Sequence, residues 1–118
     1  MAATHPFPSV PEEHRAQLTY DGRTYAGIGK LQLKGLGHDG PIHTGQFTTT
    51  FDELGVTSEQ EAKEKLPFDR LATFEGPFEG ERVRSTVRLG HAYTGNRYAK
   101  THVTVDLEMM GPAEPLDD

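Results

Sequence analysis

The chain has 118 residues, a formal charge of −6, a pI near 5.4 and no cysteine. That length holds one core and not two, the acidic balance disfavours a surface built to neutralise nucleic-acid phosphates or an anionic bilayer, and the lack of cysteine excludes disulfides and thiolate metal sites. Leu, Ile, Val and Phe supply about a fifth of the residues, a thin core that gains from burying more apolar surface against a second copy, so a homo-oligomer is expected.

Residues 1–13 carry Pro6, Pro8 and Pro11 and predict an extended arm that Phe7 tacks down. The start of the chain has neither the basic flank nor the apolar run of a signal peptide, and no segment has the length and hydropathy of a bilayer span; a cytoplasmic location is expected. A single β domain is expected over residues 14–110. From Arg15 the pattern alternates, with Ala16, Leu18 and Tyr20 on one face, and Asp21-Gly22 predicts a two-residue reversal. That turn sets Tyr20 opposite Arg23, Leu18 opposite Tyr25 and Ala16 opposite Gly27. Gly27 and Gly29 then fall on the inner face, where they mark a sharp bend or leave room for a ligand.

Residues 35–42 read as a loop, followed by a third strand whose inner face carries His43, Gly45, Phe47, Thr49 and Phe51. A short α-helix is predicted near residues 58–66, capped by Thr57 with Gln60 and ended by Pro67. A short strand covers Leu71 to Phe74, and a turn spans Glu75 to Gly80. The second long hairpin is predicted to reverse through Thr94-Gly95-Asn96, which matches Val87 with Val103 and Leu89 with Thr101, and sets Arg84 against Asp106 and Arg82 against Glu108. The acidic tail, 111–118, is expected to be disordered. The fold class is therefore mainly β: a small antiparallel barrel, or a strongly curved sheet, built from hairpins with one short helix.

Gly35, Gly37 and Gly40 spell a G-x-G-x-x-G, but a strand rather than a helix follows, so the N-terminal amides that would meet a pyrophosphate are missing and no cofactor is expected. His38, Asp39 and His43 are weak metal-ligand candidates whose spacing fixes no geometry. Strand parity turns His43 and His91 inward together with Tyr20, Tyr25, Phe47 and Tyr93, and inward imidazoles and phenols must find a partner or a ligand. These six residues are the candidate ligand-binding lining. The expected function is a non-catalytic binding module, holding a small, partly apolar ligand inside the barrel or mediating protein assembly. Two alternatives stand beside it: a small isomerase or cyclase using His43 or His91 as general base with Tyr25 or Tyr93 as donor, and a structural assembly subunit.

Overall fold

The computed structural model describes residues 5–38, 40–94 and 101–116. Seven strands form one sheet: β1 (Arg15–Tyr20), β2 (Arg23–Gly37), β3 (Gly40–Thr50), β4 (Leu71–Phe78), β5 (Glu81–Thr94), β6 (His102–Met109) and the short β7 (Glu114–Pro115). Hydrogen-bonded pairings run from β1 to β2, β3, β6, β5 and β4 and return to β1, every one antiparallel, so six strands form a ring around the core. The expected mainly antiparallel, strongly curved architecture is present.

The first hairpin has the register the Asp-Gly turn predicts, with Leu18 opposite Tyr25 and Ala16 opposite Gly27. Asp21 and Gly22 both take positive φ, 54° and 78°, the backbone that matches the twist of the flanking strands. The inward glycines serve close approach rather than empty space. A Cβ at Gly27 would lie 2.3 Å from the Thr48 carbonyl oxygen and 2.8 Å from the Phe47 phenyl, and one at Gly29 would lie 2.2 Å from the Gln46 carbonyl oxygen.

Of residues 35–42, expected as a loop, Gly35–Gly37 and Gly40–Ile42 are strand instead. β2 and β3 stay paired out to Gly37 and Gly40, with Lys34 bulged between the pairs Leu33–His43 and Gly35–Ile42. β4 likewise continues through Gly76 and Pro77 to Phe78, and only Glu79 and Gly80, at φ 51° and 83°, make the turn into β5. Pro77 fits within the strand although it donates no hydrogen bond there.

Between β3 and β4 lie two helices, α1 (Phe51–Leu54) and α2 (Glu59–Lys65). Thr50 caps α1, so Phe51 opens a helical turn instead of extending the strand. The predicted helix is α2, and its cap is one residue later than Thr57: the Ser58 hydroxyl accepts from Glu61 N, while Glu61 Oε1 accepts from both the amide and the hydroxyl of Thr57. Leu54, Val56, Ala62 and Leu66 are buried and join the core at this helix end of the ring.

The second hairpin corrects the expected register. Leu89 faces Leu107, not Thr101, and Val87 faces Met109; an extra residue in β5 then leaves Gly90 and His91 together opposite Asp106 before Ala92 meets Val105. Because the register moves by six residues, an even number, Val87 and Val103 remain inward. The outer pairs change. Arg88, rather than Arg82, bonds Glu108; Arg84 meets Glu75 at 3.1 Å, and Arg82 donates to the carbonyls of Glu12 and Glu13. The predicted turn residues Gly95 and Asn96 lie outside the described residues.

The described segments before β1 and after β6 both return to the sheet. Phe7 packs edge-on against His102 at 5.2 Å, and Arg15 donates to the carbonyls of Pro8 and Val10. β7 pairs with β5, and Leu116 N donates to the Arg82 carbonyl. No helix among the described residues is long and apolar enough to cross a membrane.

Candidate functional site

Inside the strand ring lies one cluster of buried apolar side chains. Leu18, Phe47, Phe74 and Val87 are fully enclosed, Leu31 and Leu89 nearly so, and Tyr25 joins them from β2. Close packing of this kind leaves the interior to side chains.

The six candidate lining residues are divided among three places. Tyr25 and Phe47 belong to the core, and Tyr20 packs half-buried against it. His43 sits half-buried beyond the opposite end, its imidazole edge-on to Phe78 at 5.1 Å. His91 and Tyr93 are on the outside, a correction that follows directly from the β5 bulge: Ala92 takes the inward place between them. His91 stacks on Phe68 at 4.2 Å and 17°, and the Tyr93 hydroxyl accepts from Gln46 Nε2 at 2.9 Å. Of the four acid–base candidates, His91 and Tyr93 are neighbours on the outer face of β5, whereas Tyr25 and His43 lie apart from them and from each other. Leu33, the partner of His43, lies eight positions beyond Tyr25 on β2, on the order of 25 Å along the strand.

His38 lies at the exposed tip of the β2–β3 hairpin, five positions before His43, and Asp39 is outside the described residues. Among the described residues no three His, Asp or Glu side chains come together in a group able to hold a metal ion.

Two concave surfaces lie on the outside of the described residues. One is an open groove of about 860 Å³ across the outer face of β2, β3, β6 and β5, walled by Phe68 and Asp69. Its charged side chains are Lys30, Lys34 and Arg88 against Asp69, Asp106 and Glu108, three of each sign. Arg88 bonds Glu108 and lies 3.6 Å from Asp69, and the hydrogen bond and charge of Glu108 hold its guanidinium even more firmly protonated than usual. Gln46 Nε2 also donates to Asp106 at 3.2 Å. The floor includes Gly45 and Gly90; a Cβ at Gly45 would fall 1.9 Å from the Lys30 carbonyl oxygen, so the strands close on each other there.

The second concavity, about 600 Å³, lies at the end of the ring away from the helices and is lined by Ile42, His43, Phe78, Met109 and Met110 among others. Beside it projects the ribbon of Gln32–Gly37 and Gly40–His43. Among the described residues neither strand of this ribbon has a neighbour on its outer edge: β4 reaches β2 only at Leu31, and β6 reaches β3 only from Thr44. Leu36 is 82% exposed and Leu33 51%, and Ile42 is exposed as well. Sequence reasoning missed this arm because Gly35, Gly37 and Gly40 read as loop residues, although Leu33, Leu36 and Ile42 were a visible apolar signal.

No family profile, curated protein or solved structure matches the chain.

Proposed function

We propose that the protein is a non-catalytic binding module that works by assembly, and that its partner is a second copy docked through the β2–β3 arm. The observation that carries this reading is the arm itself: roughly 20 Å of two-stranded ribbon with open edges and an exposed Leu36 at its far end. An isolated two-stranded ribbon is marginal in water, and an uncovered apolar edge invites pairing. The β3 edge carries Pro41, which has no N–H to donate, so β2 is the edge left for a partner strand.

A second copy supplies what the arm lacks. It brings an identical edge, and two such edges related by a two-fold axis pair antiparallel and self-complementarily. It also brings the cleft at the arm's base, whose Phe78, Met109 and Met110 offer flexible apolar surface to an incoming Leu36. Burial there compensates for the thin core. The filled ring interior is what favours assembly over an enclosed ligand.

Sedimentation velocity over a concentration series tests the reading. A reversible shift from monomer to dimer supports it; a monomer at every concentration overturns it.

A further inference from the structure

We infer that the outer groove across β2, β3, β6 and β5 is a binding site for a short, neutral oligosaccharide. Three features of the groove point to that ligand class. First, its formal charges cancel, three cations against three acids, so an ion of either sign meets as much repulsion as attraction. Second, four of its six charged groups are already oriented by partners in the groove: Arg88 spans Asp69 and Glu108, and Asp106 is held by Gln46. What they present outward is a set of planar groups, guanidinium, carboxylate and amide, each with donors or acceptors in a fixed fork. Vicinal hydroxyls, which both donate and accept, match a surface that offers both. Third, one wall is an exposed aromatic platform. Phe68 is 58% exposed and is backed by the stacked imidazole of His91. A phenyl face takes the C–H face of a pyranose while the hydroxyls on the ring edge reach the polar groups.

The volume, about 860 Å³, lies within the range of small-molecule sites. The groove is open to solvent, so a sugar chain can enter it without displacing a strand. The site lies on the outer face; it borders the arm at Gln32, Lys34 and Ile42 and shares Ile42 and Glu108 with the cleft proposed to receive Leu36, whereas Leu36 itself and the Phe68 wall are not common to the two.

The test is an amide NMR titration of the full chain with maltotriose, cellotriose, xylotriose and triacetylchitotriose, with trigalacturonate as the anionic comparison. The expected result is saturable shifts at Gly45, Gly90 and Asp106 with at least one neutral trisaccharide. Phe68→Ala, a change at an exposed residue, is expected to weaken that binding at least about tenfold, and Leu36→Asp to leave it unchanged. Absence of saturable shifts with every neutral sugar overturns the inference. So does binding of trigalacturonate alone, shifts that map away from the groove, or full affinity in Phe68→Ala. Shifts that follow protein concentration rather than sugar would assign the groove to a second copy and equally overturn it.

Discussion

Glu59 Oε2 accepts two hydrogen bonds from Thr94, one from its amide and one from its hydroxyl, each 2.9 Å long, and so ties the first turn of α2 to the end of β5. Those two bonds hold the Glu59 carboxyl below its ordinary value of 4.5, and the hydroxyl and amide of Thr57 do the same for Glu61. A group whose folded pKa is depressed stabilises the fold fully above its unfolded value and loses that contribution as pH falls through the folded value. Thermal unfolding followed across acid pH is therefore expected to show stability declining from about 4.5 downward, with a smaller decline in Glu59→Gln.

His5 also loses a stabilising contribution on acidification, although here protonation creates a charge instead of removing one. Burial, and then the positive charge of Arg15, hold its pKa below 6.5. The folded state thus favours the neutral imidazole, and the stability tied to it is lost as pH falls below 6.5 toward the lower folded value. Proton NMR of the imidazole is expected to give a midpoint below the ordinary one. The Phe7 signals should lose their His102 contact shifts over the same pH range.

The hydroxyls of Thr48 and Thr104 bond each other at 2.8 Å across β3 and β6, and both residues are buried. Thr48→Val leaves Thr104 without this partner and is expected to cost about 1–3 kcal/mol in denaturant unfolding. The double change to valine removes both polar groups and should recover most of that loss. Strict additivity of the two single changes would show that the bond carries no coupling.

Phe74 is fully enclosed and packs among the strands that close the ring. Phe74→Ala is expected to lower stability by about 3–5 kcal/mol, measured by urea unfolding. Gly45→Ala is also expected to destabilise, because its new methyl would meet the Lys30 carbonyl oxygen at 1.9 Å and neither backbone has room to yield.

The contrast between the two long hairpins shows what the sequence could reveal. Asp21-Gly22 admits one tight reversal, so the pairing of Leu18 with Tyr25 follows from residues a few positions apart. In the second hairpin the match between Thr94 and Val103 is set across a longer connection, and the bulge at Gly90 and His91 depends on contact with Asp106 in another strand. Period-two parity carried through that bulge placed His91 and Tyr93 inside; Gly90 was the local hint that parity would break there. The groove was illegible for a related reason. Its polar groups come from four strands and a loop, on the face that alternation assigns only to solvent.

Leu36→Asp places a charge at the most exposed apolar position of the arm. Circular dichroism and the unfolding midpoint of the monomer are expected to stay unchanged, while the dimer dissociation constant rises at least about tenfold. Leu36→Met conserves the apolar volume and should retain association.

The arrangement of the two copies is read most directly by isotope-filtered NOE spectroscopy on an equal mixture of labelled and unlabelled chains. Docking through the arm predicts intermolecular contacts from the Leu36 methyls to the methyls of Met109 or Met110. A dimer whose intermolecular contacts all lie elsewhere, with Leu36 still seeing only water, would contradict it.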